Sequence, residues 1–330
     1  MKKIKIGQIG IGHNHGEGKM LAFRKFPELF DVVGYAEDDP SWIEKRGSLK
    51  AYDGLPRLSV PELLSSVDAV VVETAVPNLT ETAALCIDAG KHIHLDKPGS
   101  GTLEDFGAML SSAKEQQLVV QMGYMYRYNP AIERTIEAVR SGKLGEIYSI
   151  NAEMSILHPA EYRKWLCSFK GGIQYILGSH MVDLIVYLMG EPIKVTSFLK
   201  RSFKDGIEAM DNNLSVLEYE RAIAKISVSS VEVNGWGRRQ FVVCGSKGSI
   251  NIMPMENPTV MTYTDLSIAT QNDIDLKSVL SLNDVPKDCR YDKMVQDFYK
   301  YVQGTESNPF TYEHDYAVQK TITQIIAADK

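Results

Sequence analysis

Residues 94–98, His-Leu-Asp-Lys-Pro, place an acid and a lysine at the end of an apolar segment. Pro98 fixes its own φ and disfavours a helical backbone at Lys97, so the lysine is held where a short predicted strand, 92–95, stops. In an open α/β sheet, ligands bind at the carboxyl ends of the strands. A lysine held there beside an acid can transfer a proton, although a lone Lys-Pro step is more often a solvated surface feature.

A glycine-rich turn follows the first predicted strand, 2–9. Gly10 and Gly12 match the first two glycines of a dinucleotide-binding turn, which let the backbone bend tightly and approach a pyrophosphate at a helix N terminus. The third glycine falls one place late, because His15 occupies its position and Gly16 follows. The turn alone is a weak indication of dinucleotide binding, since glycine-rich turns are common.

An acid follows the second predicted strand, 31–36. Glu37, with Asp38 as the alternative, is placed to hydrogen-bond the adenosine ribose of a dinucleotide. The first basic residues after it are Lys45 and Arg46, so no arginine directly follows the acid. The pattern therefore favours NAD as the cofactor and makes NADP less favoured.

Two histidines, His13 and His15, alternate within the same turn. Alternating histidines in a glycine-rich turn, with no cysteine nearby, make poor zinc geometry. We therefore expect no metal site.

The order of predicted elements indicates the fold class. Segment 69–73 is a continuous apolar run, typical of a strand buried on both faces, and strands alternate with helices through about residue 120, which predicts a parallel sheet. Beyond residue 194, strand-like segments predominate, although 257–286 shows little pattern. We predict an α/β protein: an N-terminal doubly wound Rossmann domain over 1–123, and an α+β substrate-binding and oligomerisation domain with an open, largely antiparallel sheet over 124–330.

Composition excludes several function classes. A chain of 330 residues suggests two domains. The net charge of −6, without a basic block, argues against a nucleic-acid partner. No apolar run approaches membrane-spanning length, which argues against a membrane partner. Four scattered cysteines, none in a metal-type pair, favour a reduced, cytoplasmic chain.

Taken together, these motifs resemble those of the glucose–fructose oxidoreductase / inositol dehydrogenase (Gfo/Idh/MocA) family, and the resemblance extends over essentially the whole chain. The segments that carry it are Gly10-Ile11-Gly12, Val76-Pro77-Asn78, Ala89-Gly90-Lys91-His92, Asp96-Lys97-Pro98, Arg127-Tyr128-Asn129-Pro130, the stretch 141–147, Gly171-Gly172, and Gly178-Ser179-His180-Met181-Val182-Asp183-Leu184. The usual Glu-Lys-Pro of the family is Asp-Lys-Pro here, a shorter acid with the same charge.

The resemblance implies an NAD(P)-dependent dehydrogenase that transfers a hydride between nicotinamide and a secondary alcohol of a sugar, sugar derivative or cyclitol. Lys97 and His180 are then the catalytic candidates. The implied cofactor-binding residues are Gly10, Gly12, His13, Asn14, Glu37, Pro77, Asn78, Asp96, Lys97 and Arg127. The resemblance also implies a homodimer or homotetramer whose other partner is a small polyol or sugar.

The chain departs from the family at Ile176, where relatives carry an aspartate four residues before the histidine. A predicted helix over 173–189 places Ile176, His180 and Asp183 on one stripe, so the histidine lacks its usual acidic neighbour. Segment 154–166 is rich in polar and aromatic residues and is either a substrate-binding segment or an interface or lid segment. The substrate-binding residues that we expect are Tyr126, His158, Arg163, Trp165, Ile176 and Asp183.

Two alternative functions remain open. One is an enzyme that oxidises a glycoside transiently with tightly held NAD, so that a group is eliminated at a neighbouring carbon without net NADH. The other is a non-catalytic NAD-binding sensor, which Ile176 favours and the retained Lys97 and His180 oppose.

Overall fold

The computed structural model describes residues 2–266, 278–281 and 289–329 of the chain. The chain divides into two compact units, Met1–Met125 with Asp288–Tyr316, and Tyr126–Lys287 with Ala317–Lys330. The sequence pattern placed a single boundary after residue 123. Strand and helix patterns are local, so they carry no sign of a chain that returns to its first unit near its end.

The first unit contains a five-stranded sheet in the order β2-β1-β3-β4-β5, with all neighbouring strands parallel. Its strands are β1 Ile4–Ile9, β2 Phe30–Ala36, β3 Ala69–Val72, β4 His92–Leu95 and β5 Val120–Met122. The helices between and after them are α1 Gly16–Arg24, α2 Pro40–Arg46, α3 Val60–Ser66, α4 Leu79–Asp88 and α5 Leu103–Glu115. The expected parallel Rossmann sheet is confirmed, and its order reverses between β1 and β3, which is where such sheets bind ligands.

Local sequence explains these elements. All four residues of β3 are buried, as expected for a strand covered on both faces. Helix α5 begins at a capping box in which the Thr102 side chain accepts a hydrogen bond from the Asp105 backbone N–H and the Asp105 carboxylate accepts one from that of Thr102. Helix α2 begins with Pro40 directly after the cap Asp39, whose carboxylate accepts the N–H of Ser41.

The second unit contains an eight-stranded sheet in the order β13-β12-β11-β10-β6-β9-β8-β7. Its strands are β6 Ile147–Glu153, β7 Lys194–Lys200, β8 Asn212–Glu218, β9 Ile223–Ser229, β10 Gln240–Gly245, β11 Gly248–Ile252, β12 Val260–Asp265 and β13 Ser278–Ser281. Only β6 and β9 pair in parallel among its described strands, so the largely antiparallel sheet is confirmed. The poorly patterned segment 257–286 supplies the edge strand β13 and its neighbour β12, and its residues 267–277 and 282–286 lie outside the described ranges.

Three helices of this unit lie between β5 and β7 in the chain. They are α6 Pro130–Arg140, α7 Ala160–Leu166 and α8 Ser179–Met189. The single α-helix predicted over 173–189 is wrong in its first part, because Gln174–Gly178 forms a π-helical turn directly before α8. A single π-helical turn of five residues is too short to show a side-chain periodicity of its own in the sequence.

The last part of the chain forms α9 Asp292–Val302 and α10 Tyr312–Ala327. Helix α9 packs on the first unit, where the ring of Phe298 lies 6.1 Å from that of Phe23 in α1. Phe23 also meets Phe30 of β2 edge-to-face at 5.0 Å, so one aromatic cluster joins the start and the end of the sequence. Within the described ranges, no helix has both the length and the apolar character needed to cross a bilayer.

Candidate active site

The glycine-rich turn joins β1 to α1 in the first unit. Gly10 has φ +85°, and a Cβ there would lie 2.5 Å from the backbone of Thr74, so only glycine fits. The turn is fastened to the sheet because Gly10 N–H donates to Ala36 O at 2.8 Å and His13 N–H donates to Glu73 O at 2.9 Å. Helix α1 then begins at Gly16, so backbone N–H groups at its N terminus can meet an anion.

Glu37 lies beside this turn, at the end of β2. Its carboxylate accepts hydrogen bonds from Ile11 N–H at 2.9 Å and Asp39 N–H at 3.0 Å. The acid is thus positioned by the turn itself, on the side where the ribose of a dinucleotide is read.

Arg46 braces the opposite side of the turn, which the sequence did not indicate. Its guanidinium donates to Ile11 O at 3.2 Å, to His13 O, and to the side-chain oxygen of Asn14 at 3.2 Å. The sequence treated Arg46 only as the first arginine after the acid, because nothing in the local pattern shows α2 turning back to the glycines. Its charge lies at the turn where a pyrophosphate would be bound.

Pro77 and Asn78 lie in a short 3₁₀ turn, Val76–Asn78, between β3 and α4. Two reciprocal hydrogen bonds hold the start of α4 to the loop that follows Lys97-Pro98: Thr80 N–H donates to Ser100 Oγ at 2.9 Å, and Ser100 N–H donates to Thr80 Oγ1 at 2.8 Å. These bonds fix the loop in which Lys97 lies.

A buried polar cluster surrounds Asp96. His13 Nδ1 and His15 Nδ1 lie 3.2 Å and 3.0 Å from Asp96 Oδ2, and His13 Nδ1 also lies 3.4 Å from Glu73 Oε2. Lys19 Nζ lies 3.7 Å from both Asp96 Oδ2 and Glu73 Oε1. Lys19, Glu73 and Asp96 are fully buried, so their polar groups depend on one another and not on solvent.

The pKa values of the two carboxyl groups in this cluster are shifted in opposite directions. Burial, with the charge of Asp96 added to it, raises the pKa of Glu73 well above its ordinary value. Burial opposes ionisation of Asp96 too, but His13, Lys19 and His15 outweigh it and hold the pKa of Asp96 well below its usual range. Glu73 therefore takes up a proton at a higher pH than Asp96 does.

The charged Asp96 holds the backbone of the candidate catalytic lysine. Its Oδ1 accepts the backbone N–H of Lys97 at 2.6 Å, and Lys97 itself is only 3% exposed. We predicted from the sequence that Asp96 binds the cofactor. In the structure its carboxylate holds the backbone of the next residue, Lys97.

A chain of hydrogen bonds leaves the cluster through Lys19. Lys19 Nζ donates to His94 Nε2 at 2.7 Å, and His94 Nδ1 donates to Gln121 Oε1 at 2.8 Å. Gln121 Nε2 donates in turn to Met294 O in α9 at 3.0 Å. Burial and the charge of Lys19 lower the pKa of His94 to about 3, so this histidine stays neutral at physiological pH.

His13, His15 and Asp96 also have the side-chain types of a metal site, with ligand atoms within 4.8 Å of one another. The Lys19 ammonium already supplies a positive charge 3.7 Å from Asp96 Oδ2, which disfavours a second cation there. The absence of a resident metal therefore stays a prediction.

In the second unit, His180 lies in the first turn of α8 with a small polar group around it. Its ring meets that of Tyr126 edge-to-face at 5.1 Å. Arg239 NH1 donates to the Tyr126 hydroxyl at 3.0 Å and to Glu256 Oε1 at 3.1 Å, and the Tyr126 hydroxyl donates to Glu256 as well. Sequence reasoning missed Arg239 and Glu256, because they stand in strand and loop segments more than a hundred positions after Tyr126.

Arg127 and Asp183 form a buried two-pronged ion pair. Arg127 Nε lies 3.0 Å from Asp183 Oδ2, and NH2 lies 2.6 Å from Oδ1. The sequence assigned Arg127 to the cofactor and Asp183 to the substrate, whereas here their charges compensate each other. This pairing joins the start of the second unit to α8.

The remaining expected substrate residues lie in or near α7 and the π-helical turn. Ile176 is 5% exposed within the turn that precedes His180. Arg163 is buried and donates to Lys204 O at 2.8 Å, so its guanidinium is engaged with the loop after β7. His158 and Trp165 are half-buried, one on each side of Arg163 in the sequence.

Comparison with known proteins identifies the family. A profile described as an oxidoreductase family with an NAD-binding Rossmann fold matches residues 4–124, and a profile of the GFO/IDH/MocA C-terminal domain matches residues 132–251. The chain belongs to the Gfo/Idh/MocA family. It is an oxidoreductase with NAD as its cofactor, and the resemblance drawn from the sequence motifs is confirmed.

Individual relatives are distant but extend over most of the chain. Dehydrogenase aclE of Aspergillus oryzae is 26% identical over 295 residues, covering 79% of each chain. Myo-inositol 2-dehydrogenase of Thermotoga maritima is 26% identical over 280 residues, covering 78% of each. A solved structure of levoglucosan dehydrogenase, in complex with NADH and levoglucosan, aligns with a TM-score of 0.82 at 19% identity over 99% of this chain and 97% of that one. At that identity, the structural likeness shows the fold alone.

The first unit of this family member fits NAD. Gly10 leaves the space that a Cβ would fill, and Glu37 offers a carboxylate to a ribose beside it. The candidate catalytic residues are divided between the units, with Lys97 in the first and His180 in the second.

Proposed function

We propose that this protein oxidises a secondary alcohol of a sugar, sugar derivative or cyclitol, or catalyses the reverse reduction. The observation that carries the proposal is the rigid placement of Lys97, whose backbone N–H is held by the buried Asp96 at the carboxyl end of β4. That strand belongs to the same parallel sheet as the glycine-rich turn. The names of relatives, myo-inositol 2-dehydrogenase and levoglucosan dehydrogenase, support the substrate class.

NAD, when bound, supplies the hydride chemistry of such a reaction. The protein must hold the substrate and move the hydroxyl proton. We assign Lys97 to polarise or protonate the substrate oxygen, and His180 to accept its proton. Gly10, Gly12, His13, Asn14, Glu37, Pro77 and Asn78 are assigned to the cofactor.

The second unit is assigned to the substrate. Tyr126, whose hydroxyl is held by Arg239 and Glu256, places its ring edge-to-face against His180. Ile176 makes the neighbouring wall apolar where relatives carry an aspartate. The proposed substrate therefore has fewer hydroxyls, or a bulkier apolar group, at the carbon facing residue 176.

NADH formation, followed by absorbance with a panel of hexoses, inositols and glycosides, tests the proposal. Turnover with at least one member of the panel supports it. If the protein bound NAD but neither formed NADH nor released an aglycone from any member, the non-catalytic sensor would be the better description.

A second candidate function is oxidation followed by elimination on a glycoside. The aromatic side chains of α7, described below, favour a substrate with more than one ring. Release of the aglycone without net NADH distinguishes this function from a simple dehydrogenase.

We further propose a cytoplasmic homodimer or homotetramer. All four cysteines are unpaired, as expected in a reducing compartment, and the family resemblance supports assembly. Light scattering on the purified protein tests the oligomeric state, and a monomer would overturn it.

A further inference from the structure

Five aromatic rings of the second unit follow one another in contact. His158 stacks on Tyr162 with centroids 3.9 Å apart and planes at 13°, and Tyr162 lies 5.0 Å from Trp165. Trp165 meets Phe169 edge-to-face at 4.7 Å, and Phe169 lies 5.9 Å from Tyr175. All five residues, which we call the aromatic ladder, are half-buried.

The spacing of the ladder follows from α7. Tyr162 and Trp165 stand three residues apart in α7 and so share one side of the helix, while His158 and Phe169 stand just before and just after it. Arg163 and Leu166, 1% and 0% exposed, anchor the other side. The ladder is therefore not the side by which α7 attaches to the protein core.

One end of the ladder lies beside the polar group around His180. His158 N–H donates to Ser230 O at 2.9 Å, and Arg239 Nε donates to Ser155 O at 3.3 Å in the same stretch of chain. Burial, followed by the charges of Arg239 and Arg163, lowers the pKa of His158 to about 4, so its ring is neutral at physiological pH. Arg239 also holds the Tyr126 hydroxyl, whose ring touches His180.

We propose that the aromatic ladder binds the aglycone of an aryl glycoside whose sugar ring is the part oxidised. The proposal rests on the proposed function and narrows its substrate class. A flat aromatic group stacks on partly exposed rings, whereas a second sugar would need polar partners for several hydroxyls. Among the described residues, His158 Nδ1 is a buried ring nitrogen without a hydrogen-bond partner, which suits a single hydroxyl at the junction.

The test compares 4-nitrophenyl and methyl glycosides of the same sugar on the full-length protein loaded with NAD. We expect the nitrophenyl glycoside to bind about tenfold more tightly, the size of one good aromatic pair. Trp165→Ala should reduce this ratio to within about twofold, and Trp165→Phe, which keeps a ring, should preserve most of it. Tyr148→Ala, an exposed ring of β6 outside the ladder, is the matched control and should leave the ratio unchanged.

Thermal unfolding of each variant shows whether it is folded, and Trp165→Phe keeps the test informative if Trp165→Ala does not fold. Equal affinity for the two glycosides in the wild type, or an unchanged ratio in a folded Trp165→Ala variant, would overturn the proposal. Binding is read by saturation-transfer NMR from the sugar-ring protons that both glycosides carry, independently of NADH. An aryl preference without NADH formation would support the ladder and reject the dehydrogenase; NADH formation without an aryl preference would do the reverse.

Discussion

The backbone N–H of Ile11 donates a hydrogen bond to Glu37 Oε2 at 2.9 Å, joining two residues 26 positions apart. This bond places a carboxylate where the ribose of a dinucleotide is read, and a 2′-phosphate there would meet its negative charge. We expect NAD to bind at least about tenfold more tightly than NADP, and Glu37→Gln to narrow the difference. Calorimetry with both cofactors measures it, and equal or tighter binding of NADP would contradict this assignment.

Lys97→Met should leave the fold and the NAD affinity nearly intact, because Asp96 holds the backbone of this residue. Turnover should fall by at least about a hundredfold, the low end for the loss of a general acid or base. Lys143→Met, an exposed lysine after α6, is the matched control. Near-normal turnover in Lys97→Met would reduce Lys97 to a structural or cofactor-contacting residue.

His180→Ala should reduce turnover less than Lys97→Met, because Ile176 cannot support the basicity of the histidine as an aspartate would. Ile176→Asp should raise turnover on simple hexoses or inositol, where a lost carboxylate would have bound a hydroxyl. Steady-state kinetics of the three variants check both expectations. If His180→Ala reduced turnover as much as Lys97→Met does, another group would have to orient the histidine.

Stability should fall as the pH drops below 6.5, because His94 is neutral in the folded protein. Its folded pKa of about 3 lies below the ordinary value of 6.5, so its contribution is complete above pH 6.5 and is lost as the pH falls towards 3. By pH 4.5 the loss from this residue amounts to roughly 2–3 kcal/mol. Denaturant unfolding at several pH values should show a flatter dependence in His94→Gln; identical slopes would contradict the assignment.

Lys19→Met should destabilise the first unit by about 3–5 kcal/mol, since it leaves the charge of Asp96 buried with less compensation. His94 would also lose the hydrogen bond from Lys19. Adding Glu73→Gln should recover little, because the raised pKa of Glu73 already favours its neutral form. Chemical denaturation of the single and double variants measures this. Full recovery in the double variant would show that Glu73 is charged.

The sequence predicted those parts of the site that depend on neighbours in the chain. The turn at Gly10 and the stop at Pro98 are local features, and each stands at a strand end as expected. The buried cluster was not predicted, because Lys19 and His94 are 75 positions apart and nothing in either segment identifies the other. Arg239 and Glu256 were also missed because they are far from Tyr126 in the sequence. The π-helical turn was missed because its residues are equally compatible with an α-helix.

The hydrogen bond from Gln121 to the Met294 carbonyl, together with the packing of Phe298 on Phe23, bears on how the protein is made. During synthesis, the five strands of the first sheet leave the ribosome long before α9 does. Until then, the hydrogen-bond chain through His94 and Gln121 is incomplete, because the Met294 carbonyl that accepts from Gln121 has not yet been made. The N-terminal unit therefore cannot complete its folding first and wait, because its final contacts arrive only when nearly all of the chain has been translated.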